Sequence, residues 1–196
     1  MPASFIELDL PGVYEIVPQK HEDDRGLFME VFRESDFARQ GLPSSWVQDN
    51  QSLSRQPGTL RGLHYQSPPM AQDKLVRVTK GSILDVAVDI RKGSPTYGHW
   101  IGIVISAEKF NQVLVPKGFA HGFVTLEPDT EVQYKVSAYY SPEHDRTISH
   151  DDPDIRIDWN LDGNAPILSD KDAHAPRLGE QDTGFVYQGA LTEADT

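Results

Sequence analysis

The stretch Leu60-Arg61-Gly62-Leu63-His64-Tyr65-Gln66 sets a guanidinium, a glycine and an imidazole close together in the chain. Histidine is the side chain whose ordinary pKa best suits proton transfer near neutrality. The planar, permanently charged guanidinium of arginine matches phosphate. A site that holds a phosphorylated substrate and takes a proton from it uses both. Taken alone, the stretch reads better as a strand end with a surface Arg61 and a packed His64, because one short motif is weak evidence.

Other residues bear on the same chemistry. Pro116-Lys117-Gly118-Phe119-Ala120-His121 is a P-x-G-x-x-H string of the kind that supplies a histidine in cupin-type folds; a packed loop histidine is the plainer alternative. In a metal-binding cupin that histidine joins a His-x-His pair and a glutamate. Here the pair reads His64-Tyr65-Gln66, and no Glu follows at the usual short distance. Two imidazoles are too few for a His-rich transition-metal site, so no metal is expected. The chain also lacks the G-x-G-x-x-G string of a nicotinamide site, and no cofactor is expected. Tyr134 and Tyr140 would share one face of a strand over Thr130 to Tyr140, roughly 20 Å apart if it runs straight. That separation suits a nucleotide-linked sugar, one phenol at the sugar and the other stacked on the base; on spacing alone both read better as core aromatics. In Ser169-Asp170-Lys171-Asp172 a carboxylate could orient an imidazole, although such a run is usually a solvated charge cluster.

The elements that must position these groups are short strands. Strand-like stretches run over 13–17, 27–32, 46–52 (ending in polar groups), 75–79, 82–90, 100–105, 110–115, 120–126 and 130–140, with one short helix over 35–40 capped by Ser35 and stopped by Gly41. Alternation is clearest in 82–90, where Leu84, Val86, Val88 and Ile90 face one way and Ile83, Asp85, Ala87 and Asp89 the other. Regularly spaced strands with almost no helical periodicity predict an all-β fold. The best fit is a cupin-type jelly-roll β-sandwich or barrel with a few short helices, one domain over 1–196 with an extended tail from about 180 to 196.

Composition narrows the function classes. The 196 residues carry 38% hydrophobic and 24% charged side chains, as folded globular proteins do. A net charge of −12 argues against nucleic acid as a partner, so a bound anion needs a local group of cations. The absence of cysteine rules out disulfides, thiolate metal sites and cysteine nucleophiles. No stretch has the pattern of a signal peptide or a membrane span, and a cytoplasmic location is expected.

The segments Asp24-Arg25-Gly26, Gln48-Asp49-Asn50, Leu60 to His64, Lys74-Leu75-Val76-Arg77, Asp85 to Arg91, Pro116 to Phe123, Tyr139-Tyr140-Ser141-Pro142 and Leu168 to Asp172 occur in the order of one family. From about residue 5 to residue 178 the chain closely resembles the dTDP-4-dehydrorhamnose 3,5-epimerases. The resemblance implies a cofactor-independent cupin that epimerises dTDP-4-dehydro-6-deoxy-D-glucose at C3 and C5. It implies that His64 is the base, Asp172 the carboxylate that orients it, Tyr134 the acid on the opposite face of the ring and Lys74 the cation beside the C4 oxygen. It assigns Arg25, Glu30, Gln48, Asp49, Asn50, Arg61, His121, Asp145 and Lys171 to substrate binding, and Tyr140 to stacking on thymine. Asp145 stands where the family often has glutamate, and 146–150 departs from the family pattern.

The resemblance further implies a homodimer with exchanged N-terminal strands, Arg25 and Glu30 reaching the partner's pocket. A mono-epimerase acting at C3 or C5 alone would keep the same residues. A non-catalytic sugar-nucleotide-binding cupin and a metal-dependent cupin are the rivals of other classes. Strict alternation along the strand would put Arg61 on the face opposite His64, unless Gly62 marks a bulge.

Overall fold

The computed structural model describes residues 3–189 of the chain. Strands β1 (Ser4–Glu7), β2 (Tyr14–Val17), β3 (Lys20–Asp23) and β4 (Gly26–Met29) precede a short helix, α1 (Glu34–Arg39). Then come β5 (Gln48–Ser54), β6 (Leu60–Gln66), β7 (Lys74–Lys80), β8 (Ser82–Asp89) and β9 (Trp100–Ser106). Strands β10 (Gln112–Val115), β11 (Phe119–Thr125), β12 (Thr130–Val136) and β13 (Asp145–Thr147) lead to a single turn of helix, α2 (Asp170–Ala173). Two antiparallel sheets result, a six-stranded one in the order β1-β2-β10-β7-β12-β5 and a five-stranded one in the order β13-β6-β11-β8-β9. The fold is the all-β jelly roll of cupin type.

The alternation read in 82–90 is what divides the core. Ile83 and Ala87 of β8 share one core cluster with Phe119 and Phe123 of the neighbouring β11 and with Val76, Val78, Val113 and Val132 of the facing sheet. Leu84, Val86, Val88 and Ile90 turn to the other face, where Ile148, Ile155, Trp159 and Leu178 from the long C-terminal segment cover them. Strand β8 is therefore buried along its whole length, and its three polar side chains, Ser82, Asp85 and Asp89, each have a hydrogen-bond partner there. A third cluster, Ile16, Leu75, Leu114 and Phe37, seats α1 on the outside of the six-stranded sheet.

Several elements differ from the sequence reading. Helix α1 starts at Glu34, with Arg33 rather than Ser35 at its N-cap and no side-chain cap; Gly41, at φ +69°, ends it. Strand β12 stops at Val136, so Tyr134 and Tyr140 do not share a straight strand. Strands β1, β3 and β13 have no counterpart in the predicted set, β3 and β13 because their polar sequences KHED and DRT show no apolar alternation. β3 and β4 pair only with each other, as a separate two-stranded unit. Residues 181–189 run without a helix or strand but are held down, Thr183 donating to the Ile90 carbonyl and Phe185 packing edge-on to Tyr65; the rest of the expected tail lies outside the described residues.

Candidate active site

A cavity of about 420 Å³ opens between the two sheets. His64, Arg61 and His121 reach it from β6 and β11, Lys74 and Tyr134 from β7 and β12, and Lys171 and Asp172 from the turn around α2. It continues into a second space of about 310 Å³, to which Gln48, Asn50, Tyr140 and Asp145 are added while His64, Lys74, Tyr134 and Lys171 line both. Each volume lies in the range of small-molecule pockets.

The convergence of Arg61 and His64 has a local cause. His64 pairs with His121, and Arg61 with Phe123, so β6 spends one more residue than β11 between those pairs. The extra residue is a bulge, which re-aims the side chains that follow it. It falls at Gly62, whose φ of +127° side-chain-bearing residues rarely adopt. A Cβ there would lie 2.5 Å from the Gly122 Cα and 2.8 Å from the His121 carbonyl oxygen. Glycine is thus required twice, for its backbone angle and for the close approach of two strands. Arg61 leaves the bulge to donate through Nε to the Ser54 hydroxyl at 3.2 Å.

His64 Nε2 lies 2.6 Å from Asp172 Oδ1, across 108 residues of sequence. The short helix α2 builds this contact. Ser169 caps it, accepting from the Asp172 N–H at 3.2 Å, and its hydroxyl donates to Asp172 Oδ2 at 2.9 Å. The sequence carried a signal for this, a Ser three residues before an acidic residue at a helix start. Asp172 is 3% exposed. Burial alone pushes its carboxyl up, but the hydrogen bond and charge of His64, with Ser169 and the Gly62 N–H, hold it below the ordinary carboxylate range. A carboxylate on Nε2 fixes the tautomer that leaves the lone pair on Nδ1.

On the opposite sheet, Lys74 is buried and donates through Nζ to the His64 main-chain carbonyl at 3.1 Å. Burial brings its pKa down from 10.5 to about 8, against the opposing pull of Asp145 and Asp85. The ammonium remains charged at neutral pH and is poorly solvated. Burial raises the Tyr134 phenol above its ordinary value, with Arg61 working against that and Asp145 for it. The Tyr134 phenol is therefore neutral at neutral pH. His121 is buried and its Nε2 meets Asp85 Oδ2 at 2.8 Å, so the cleft holds two imidazole–carboxylate pairs. Asp85 was not among the predicted site residues; alternation groups it with Ile83 and Ala87, and the structure turns that face toward the space between the sheets.

Gln48 and Asn50 face the cleft, joined by a 2.8 Å hydrogen bond. Asp49, between them, necessarily faces the other way, where Lys135 Nζ holds it at 2.9 Å on the outside of the six-stranded sheet. Tyr140 hangs at the nucleotide-sized end, its hydroxyl donating to Asp145 Oδ2 at 3.2 Å and its N–H to Gln48 Oε1 at 3.0 Å. Lys171 pairs with the same Asp145 oxygen. Arg25 and Glu30 do not join the cleft of their own chain. Arg25 sits at the tip of the β3–β4 unit with its side chain 90% exposed, paired to Asp23, and Glu30 pairs with Arg33.

An oriented imidazole on one wall, a phenol and a buried ammonium on the other, and cations at the mouth can move protons on a bound anionic ligand without changing its oxidation state. A sequence model of the family described as dTDP-4-dehydrorhamnose 3,5-epimerase matches residues 7–180. The chain is 51% identical over 183 residues to the dTDP-4-dehydrorhamnose 3,5-epimerase of Sinorhizobium fredii, covering 93% of both. A crystal structure of dTDP-6-deoxy-D-glucose-3,5-epimerase from Legionella pneumophila, in complex with dTDP-4-keto-L-rhamnose, superposes with a TM-score of 0.90 at 43% identity, covering 95% of this chain and 99% of that one. A 3'-monoepimerase from Streptomyces bikiniensis, in complex with dTDP-quinovose, gives a TM-score of 0.83 at 35% identity, covering 89% of this chain and 87% of that one. Fold and likeness together define a cupin-type isomerase of the sugar-nucleotide epimerases. The chain belongs to the dTDP-4-dehydrorhamnose 3,5-epimerase family.

Proposed function

We propose that this enzyme converts dTDP-4-dehydro-6-deoxy-D-glucose to dTDP-4-dehydro-L-rhamnose by inverting C3 and C5. The observation that carries the reading is the His64–Asp172 pair facing Tyr134 and Lys74 across one cavity. Both carbons are α to the C4 ketone, so loss of either proton gives an enolate. His64 Nδ1 takes the proton, and the C–H electron pair moves toward the C4 oxygen. The imidazolium that forms is compensated by Asp172. The Lys74 ammonium stabilises the oxyanion, often the largest contribution in such reactions. Tyr134 delivers a proton to the opposite face of the enolate, which inverts the centre. Acid–base groups of this kind contribute about 10²–10⁴-fold each. Arg61 and Lys171 supply the local positive charge that a diphosphate needs in a chain of net charge −12. His121, Gln48 and Asn50 bind the sugar and nucleoside, and Tyr140 stacks on thymine.

The exchanged homodimer belongs to the same proposal, with Arg25 and Glu30 completing the partner's site. The β3–β4 unit supports it. All its strand residues but Met29 are exposed, Phe28 at 67%, and it pairs with neither large sheet. An isolated hairpin is marginal in water and calls for a covering surface. A cytoplasmic location also belongs to the proposal; no helix among the described residues is long and apolar enough to cross a membrane.

Proton NMR of dTDP-4-dehydro-6-deoxy-D-glucose in D₂O, with a downstream reductase to trap product, tests the reading. Deuterium at C3 and C5 with an L-rhamno product is expected. Exchange and inversion at one carbon alone would identify a mono-epimerase. Binding without exchange would make the chain a sugar-nucleotide-binding cupin.

A further inference from the structure

We infer that Gln66 is a positioning residue for the nucleotide end of the cleft, where it fixes the segment that carries Tyr140. This rests on the proposed function only in assigning the base of a thymidine nucleotide to Tyr140. After β12 ends at Val136, the backbone of 137–141 belongs to no strand, yet it carries the aromatic group. Unpaired backbone polar groups next to a buried face must find partners elsewhere. The Ser137 N–H reaches the Asp73 carbonyl at 3.1 Å, and the groups around Tyr140 find glutamines, Gln48 Oε1 taking the Tyr140 N–H itself at 3.0 Å. Gln66 Nε2 donates to the Tyr139 carbonyl at 3.1 Å, and its Oε1 accepts from the Ser141 N–H at 2.7 Å, so one amide grips the chain on both sides of Tyr140. The second Nε2 hydrogen goes to the Met70 carbonyl at 2.7 Å. Gln72 Nε2 adds a bond to the Ala138 carbonyl at 2.7 Å.

Three features separate this from ordinary packing. Gln66 is 4% exposed, so each lost bond leaves a buried group without water. Its amide uses both hydrogens and its oxygen, which leaves no second rotamer of equal energy. It follows His64 by one intervening residue on β6, so the strand that presents the imidazole also sets the height of the aromatic platform. The position that would bear a ligand histidine in a metal cupin is here a backbone clamp. Glutamate keeps the acceptor for Ser141 but turns both donated bonds into repulsions against carbonyl oxygens. Methionine keeps the length and offers neither.

The test is a double-mutant cycle on dTDP affinity, read by calorimetry, with KM and kcat measured alongside. Gln66→Met and Gln66→Glu are each expected to raise the Kd for dTDP and the KM by about tenfold, with kcat within about twofold of wild type. Tyr140→Ala is expected to weaken dTDP by about tenfold, as loss of one base-stacking ring does. Adding Gln66→Met to Tyr140→Ala is expected to change nothing further, since the clamp acts through that ring. Additive losses, or a fall in kcat at unchanged KM, would overturn the inference. Should the Gln66 variants fail to fold, Gln72→Met tests the same clamp from a half-buried position, with a smaller rise in Kd. The Kd ratios decide about Gln66 whether or not the wild type turns over the sugar; epimerase activity of the wild type decides about the reaction.

Discussion

The Lys74 ammonium donates to the main-chain carbonyl of His64, 3.1 Å away, so the buried cation is indexed to the strand that presents the imidazole. Lys74 starts β7 in one sheet and His64 lies on β6 in the other. The two groups proposed to act on one ketone are thus held at a fixed spacing across the interface between the sheets.

That arrangement costs stability. Displacement of the Lys74 pKa from 10.5 to about 8 corresponds to about 3 kcal/mol against the charged form. The sign follows from proton counting. Between about 8 and 10.5 the unfolded chain holds a proton that the folded chain has released, so this group's contribution to stability rises with pH across that window. Lys74→Met should raise the melting temperature at pH 7 by about 2–4 °C, the lost bond to His64 offsetting part of the relief. It should lower kcat by at least about 10²-fold, as loss of an oxyanion donor does. In the wild type, kcat should fall as pH passes about 8. A melting temperature that drops in the variant would show the ammonium to be a structural asset.

Asp172→Asn separates orientation from charge. The amide can still meet His64 Nε2, but it favours the wrong tautomer and cannot compensate an imidazolium. Deuterium incorporation at both carbons should slow by about 10²–10⁴-fold. Because the folded-state pKa of Asp172 is depressed, its contribution to stability is present above the unfolded value and is lost as pH falls through the folded one. The variant should therefore show a shallower loss of stability in acid. Equal exchange rates in variant and wild type would remove Asp172 from the mechanism.

Gly62→Ala tests the bulge. The new Cβ would press on the Gly122 backbone at 2.5 Å, at a φ that alanine disfavours. A loss of about 2–4 kcal/mol is expected, measured by denaturant midpoint. A variant of native stability would mean that β6 and β11 can separate there without cost.

These positions also mark how far the sequence could be read. The grouping of Ile83, Asp85 and Ala87 on one face was legible because strand alternation is local, whereas its direction, toward the cleft, depends on the facing sheet. Arg61 and His64 on one wall were not derivable from alternation, since the bulge depends on pairing with β11, distant in sequence. Tyr140 was misplaced on a strand because the groups that hold the segment after Val136, Gln66 and Gln72, act from far upstream. Asp49 shows the converse: the family motif carried it into the site, while strand geometry alone turns it toward Lys135.

Tyr134→Phe keeps the ring in its place and removes the only proton it can give. Abstraction by His64 should persist, so deuterium still enters the substrate, while inverted product falls by about 10²-fold or more. Unchanged L-rhamno product would assign the donor elsewhere in the cleft.

The exchanged dimer is open to complementation. Arg25 lies outside the cleft of its own chain, at the tip of a unit with an exposed Phe28. If it serves the partner's site, His64→Ala and Arg25→Ala fail in different chains. A mixed dimer then contains one site with both defects and one with neither. Homodimers of either variant should be weak, by about 10²-fold for lost phosphate contacts in the Arg25 case. Mixing them under conditions that exchange subunits should restore up to a quarter of wild-type activity, because about half the dimers are mixed and each carries one intact site. If Arg25 acts within its own chain, no mixed dimer holds an intact site and activity stays at the level of the separate variants.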